Sequence, residues 1–161
     1  MTLIRIIVLV TALALGAGQA FACSCARADS AEQQAAGYEL IFVGTPTAIT
    51  TIAPAPPKRS FWQRLQFWKP APEPVDLRWQ PVELSTDFSI ESVLKGPQSA
   101  SVTIRTTEPD GANCGTSFQE QEVYLILAYR SEDGVYRTNS CSWPHFSRAE
   151  FEAALGVSSA P

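Results

Sequence analysis

The sequence has a single histidine, His145, so a His-built zinc cluster or a Ser-His-Asp arrangement would have one possible base. His145 follows Trp143 and Pro144 in a loop and reads as structural. Basic side chains are outnumbered 12 to 16, for a net charge of −4, which argues against nucleic acid, whose binders need a basic face. There is no phosphate-cradling glycine loop, no HExxH and no defensible pair of carboxylates, so an enzyme is not expected and no cofactor is implied. Internal repeats are absent. Only one long apolar run occurs, Ile6 to Gly16, and it is too short to anchor in a bilayer.

That run sits where a signal peptide would place it. Arg5 precedes it, and Ala20-Phe21-Ala22 supplies the small residues of an A-x-A cleavage site. Residues 1–22 therefore read as a signal peptide cleaved after Ala22, with export to an extracellular or periplasmic space. The processed chain would begin at Cys23 and carry 11 basic residues, Arg5 being lost, against 16 acidic ones. A cysteine in that position is also where a lipoprotein would be acylated. The residues before it make a poor lipobox, with no leucine three places ahead and a bulky Phe21 next to last.

Four cysteines remain: Cys23, Cys25, Cys114 and Cys141. An even number in a small exported domain reads as two disulfides. Bridging Cys23 to Cys25 would close a ring too tight for disulfide geometry, so each should reach a different distant partner. Closing a loop of about a hundred residues is worth on the order of 4 to 5 kcal/mol in the chain-entropy account. A redox or soft-metal Cys-x-Cys is the rival reading, disfavoured by the two available partners and an oxidising compartment.

The rest of the chain reads as one mostly β domain over 23–156, with a tail at 157–161. Asp29-Ser30-Ala31-Glu32 looks like a helix start, with an acceptor side chain at the cap and Glu three residues on; Gly37 stops that helix. Leu40 to Gly44 is a buried-strand run continuing through β-branched residues to Ile52. Strands are also expected at Ser85 to Leu94, with Phe88, Ile90 and Val93 in the core, at Ser101 to Thr106, at Glu122 to Tyr129, and at Val135 to Thr138. Tyr124, Tyr129 and Tyr136 on these strands read as packing residues. Ser147 and Glu150 form a capping box for a final helix with Phe151, Ala154 and Leu155 on one face and Gly156 at its end. Five strands and two short helices fit a small closed barrel.

Between Ala53 and Pro81 the composition changes. Seven prolines bracket a basic and aromatic dozen, residues 58–69, which includes Phe61, Trp62, Arg64, Leu65, Phe67 and Trp68. The prolines exclude regular ladders, so 53–81 reads as a loop insertion. Its profile suits an anionic membrane surface or an envelope partner. The alternative is that these rings fold back over one end of the barrel.

If both thiols of Cys23-Ser24-Cys25 are oxidised, the reactive group left at the chain end is the α-amine of Cys23. Its ordinary pKa of about 7.7 to 8 leaves some neutral amine at neutral pH. Nitrogen is a good zinc donor, and amine plus carbonyl oxygen of one residue can close a five-membered chelate. On a metalloprotease's zinc they would displace the nucleophilic water.

The motif order extends this reading. The C-S-C start is followed by Phe42-Val43-Gly44-Thr45-Pro46, then Cys114-Gly115, then Thr138-Asn139-Ser140-Cys141-Ser142 leading to Trp143-Pro144. In this it resembles the N-terminal domain of the tissue inhibitors of metalloproteinases. Those are netrin-like modules with an OB-type barrel, and the likeness spans nearly all of the processed chain apart from the Pro-rich insertion. The resemblance implies pairing of Cys23 with Cys114 and Cys25 with Cys141. It implies a zinc metalloprotease as partner, with Cys23 as the zinc ligand and Ser24 at the mouth of the specificity pocket. The loop around Ala112, Asn113 and Cys114 would form the other half of an inhibitory wedge. The family's third disulfide and C-terminal domain have no counterpart in this sequence, and Ala26-Arg27 replaces a Pro-containing stretch.

Overall fold

The computed structural model describes residues 23–53 and 81–157. Five strands, β1 (Leu40–Ile52), β2 (Glu83–Lys95), β3 (Ser101–Thr107), β4 (Tyr124–Arg130) and β5 (Tyr136–Arg137), form one sheet. It closes into a ring in the order β1-β2-β3-β5-β4. All neighbours are antiparallel except β3 and β5, which run parallel with Arg105 opposite Arg137. Two helices, α1 (Ala31–Ala36) and α2 (Arg148–Leu155), lie outside the ring. The mostly β, two-helix, two-disulfide expectation holds at this level.

The run Leu40-Ile41-Phe42-Val43 is buried throughout because both faces of β1 are covered. Side chains alternate across a strand. Leu40 and Phe42 therefore join Phe88, Val93, Ile104, Phe118, Ile126 and Ala128 in one cluster. Ile41 and Val43 meet Ala31, Ala35, Leu94, Leu127 and Phe151 in a second cluster, the one that carries the helices. Phe88 and Val93 are buried as expected, while Ile90 packs half-buried at the edge of the first cluster. Gly44 answers a close approach. A Cβ there would lie 2.6 Å from the Ser89 carbonyl oxygen, at a register shift between β1 and β2.

Three local expectations are corrected. The cap of α1 is Ser30 and not Asp29: the Ser30 hydroxyl accepts from Gln33 N, and Gln33 Oε1 accepts from Asp29 N. The cap thus lies one residue later than read, and because Gln33 folds back onto the residue before the cap, no reciprocal box forms. Strand β4 begins at Tyr124, not Glu122, because Gln121 takes a positive φ of 68° and turns the chain into the strand. On α2 the capping box forms as read, and Gly156 ends the helix in the left-handed region at φ 66°. Phe151 is its buried anchor and Leu155 half-buried, but Ala154 is exposed.

Candidate functional site

Three segments meet at one end of the ring. Cys23 is bonded to Cys114, with Cα atoms 5.5 Å apart. Cys25 is bonded to Cys141, at 5.1 Å. This is the pairing the resemblance implies, and no free cysteine occurs among the described residues. With all four sulfurs oxidised, the thiol-redox and soft-metal readings lose their reactive group. Residues 23–25 are strapped between the loop after β3 and a short 3-10 turn, Ser140–Ser142.

Both anchors are themselves pinned. After β3, Asp110 Oδ1 accepts from the backbone N–H groups of Ala112 (2.8 Å) and Asn113 (2.9 Å). Asn113 then works in both directions: its Nδ2 donates to Glu108 O at 2.9 Å, and its Oδ1 accepts from Gly115 N at 2.7 Å. Gly115 has no room for a side chain, since a Cβ would lie 2.3 Å from the Thr107 carbonyl oxygen. At the other anchor, Asn139 Oδ1 accepts from Cys141 N, Ser142 N and the Ser142 hydroxyl. Short polar side chains at such positions satisfy backbone donors that a tight turn leaves open.

The anchors are also joined to each other and to the body. Cys114 O accepts from Ser140 N (2.9 Å) and from the Ser140 hydroxyl (3.2 Å). The Tyr38 hydroxyl donates to Cys141 O. Gln34 on α1 is buried, and its amide spans the turn: Nε2 donates to Trp143 O at 3.0 Å and Oε1 accepts from His145 N at 3.1 Å. Edge-to-face rings run from the interior toward this end, Phe42 to Phe88 to Phe118 to Tyr124 to Trp143, at centroid spacings of 5.4, 5.0, 5.2 and 6.3 Å. Such geometry suits the ring quadrupoles.

Of the residues singled out from the sequence, Cys23, Ser24, Cys25, Ala112, Asn113 and Cys114 fall together at this end, through the two bridges and the 110–115 loop. Ser24, Cys25 and Ala112 are exposed, while Cys23, Asn113 and Cys114 are half-buried. Phe61, Trp62, Arg64, Leu65, Phe67 and Trp68 lie outside the described residues, as does the signal segment 1–22. The His145 side chain is exposed, and what the structure uses is its backbone N–H. Among the described residues no group of three or more His, Cys, Asp or Glu could hold a metal ion, and no helix is long and apolar enough to cross a membrane. The disulfides fit an oxidising, extracellular-type environment.

Sequence reasoning did not single out Asn139, Asp110 and Gln34 as the residues that hold the site. The first two left a readable signal, an Asn two residues before a cysteine and an Asp in a Pro-Asp-Gly turn. Behind the tip, Arg137 on β5 ties the ring end together. It reaches Glu83 at 2.8 Å and Asp133 at 3.3 Å. The Ser131 hydroxyl, then the Val135 backbone N–H, then Arg137 hold the Asp133 carboxyl at about 2, well below its ordinary 3.8.

A scan against protein-family models and a search of curated proteins both return no match for this chain.

Proposed function

We propose that the processed chain is an exported, netrin-like module with an OB-type barrel that inhibits zinc metalloproteases, capping the target's catalytic zinc with the amine and carbonyl of Cys23. One observation carries this reading. Residues 23–25 are crosslinked at both cysteines to two hydrogen-bonded anchors, so the segment is already ordered before any partner arrives. Rigid presentation matters because a free terminus would lose conformational entropy on binding and give back part of the affinity. Zinc takes nitrogen and oxygen donors, and a catalytic zinc keeps one position open for water or substrate. An amine–carbonyl chelate in that position removes the nucleophile. Ser24 would then enter the specificity pocket, with the exposed Ala112 side of the 110–115 loop as the second contact.

Signal cleavage after Ala22 is part of this proposal, since the α-amine exists only once the preceding residues are gone. The test is a panel of zinc endopeptidases assayed with protein beginning at Cys23 and with protein carrying one extra Ala before it. The proposal expects inhibition by the first form and its abolition in the second, with both disulfides intact by mass. Equal inhibition by both forms, or none by either, overturns it.

A further inference from the structure

We propose that the ring interior between β2 and β3 holds a buried water-binding site, formed by the hydroxyls of Thr86 and Thr106. Both residues are enclosed, at 1% and 2% exposure. Neither hydroxyl has a partner among the described residues. An enclosed hydroxyl without a partner gives up its hydration and regains nothing. Folded proteins keep such groups rare, so two of them on one interior face point to a ligand that both contact.

The register brings the two together. Alternation turns Leu84, Thr86 and Phe88 of β2 inward, and it turns Ile104 and Thr106 of β3 the same way. Thr86 lies opposite Ile104 and Thr106 opposite Leu84, so the threonines are diagonal neighbours on one face. Diagonal residues stand roughly 7 to 8 Å apart, and their β-carbons somewhat less. One water with an O–H···O contact of about 2.8 Å on each side spans oxygens up to roughly 5.5 Å apart. Two threonine hydroxyls turned toward each other from diagonal positions fall within that span.

The strands themselves offer the pair nothing else. Their register runs without a shift from Glu83 opposite Thr107 to Ser89 opposite Ser101, so no bulge frees a backbone group. Elsewhere a buried threonine is satisfied directly: the Thr138 hydroxyl donates to Leu127 O at 2.8 Å. Ser92 is also buried without a partner among the described residues, but it lies opposite Val43 on the helix-covered face, away from the pair. The residues opposite the threonines are Ile49, Ile104 and Leu84. A cation would find no carboxylate among them, and an apolar guest would leave both hydroxyls unmet. Water both donates and accepts, and two polar partners suffice to hold it. Thr106 is the last residue but one of β3, which leads into the 110–115 loop, and the site does not rest on the inhibitor reading.

Two measurements on the oxidised protein test this. A high-resolution crystal structure should show one density peak within about 2.5 to 3.0 Å of both hydroxyl oxygens. Urea unfolding of Thr86→Val, Thr106→Val and the double variant then supplies a mutant cycle. Each single valine leaves the other hydroxyl and the water short of a partner, and should raise the unfolding equilibrium constant about tenfold. The double variant has no hydroxyl left to satisfy, so its effect should be no larger than that of either single change. No peak, a peak in reach of one oxygen only, or a direct bond between the two hydroxyls overturns the site. Effects that simply multiply, in either direction, also overturn it, because hydroxyls without a shared ligand act independently. Should a valine variant fail to fold, the density in the parent protein decides alone.

Discussion

The interior of the ring and its cysteine-bearing end are held by different physics. Inside, Phe42, Phe88, Ile104 and Ile126 belong to one buried cluster, and the attraction is non-directional burial. At the cysteine end, the contacts that fix the shape are directional. Asp110, Asn113, Asn139 and Gln34 each satisfy backbone groups individually, and two disulfides cross what the hydrogen bonds do not. A hydrophobic interior tolerates adjustment so long as volume is kept, whereas a hydrogen-bonded turn depends on single atoms. The lesson concerns function. A surface that must stay exposed to meet a partner cannot be stabilised by burial, so its shape has to come from directional bonds and covalent links.

The sharpest way to break that contrast is to remove an interior ring. Phe88 is fully buried and contacts both Phe42 and Phe118 edge-to-face. Phe88→Ala should cost about 3 to 5 kcal/mol through lost burial and a residual cavity. Urea unfolding at both ends of the molecule should shift together, because the interior supports everything. Next in size is the end itself. The double change Cys25→Ser with Cys141→Ser removes a bridge spanning 116 residues and should cost about 2 to 5 kcal/mol. Here the two regions should separate. Amide exchange in residues 110–115 and 139–143 should accelerate well beyond the change in Phe42 or Ile126. Equal acceleration throughout would mean that the end has no stability of its own.

How much of this was legible in the sequence follows the same division. The interior was readable in part because burial imposes periodicity: Leu40 to Val43 reads as a strand covered on both faces and Phe88 falls inward, whereas Val93, five residues on, shares its cluster only because the register shift at Val43 and Gly44 resets the alternation. Phe118 escaped because it enters the core from a stretch with no regular secondary structure, where no period exists to read. At the site, the cysteines and the 112–114 loop were visible as types of residue, but their supports were not. Gln34 bonds to Trp143 and His145 across 109 and 111 residues, and nothing local marks an amide for such a role. Its position on a short helix reads as surface; it is buried because the 143–145 segment lies over it. The Ser30 cap was missed for a smaller reason. Asp29 and Ser30 are both good acceptors, and the choice between them depended on whether Glu32 or Gln33 folded back.

The smallest expected effect tests whether the polar end of the ring depends on charge. Asp133 is exposed, so its contribution is screened and modest, but its direction is definite. The carboxyl accepts from the Ser131 hydroxyl, from Val135 N and from Arg137, and these hold its folded value at about 2 against an ordinary 3.8. A group depressed on folding binds protons more readily in the unfolded chain. Its stabilisation is therefore complete above about 3.8 and fades as the pH falls toward 2. Asp133→Asn should lower the melting temperature slightly at pH 6, and the gap to the parent protein should close between pH 4 and pH 2. A gap of constant size over that range would mean that the hairpin turn needs the shape of the side chain and not its charge, which would place this corner with the interior in its physics.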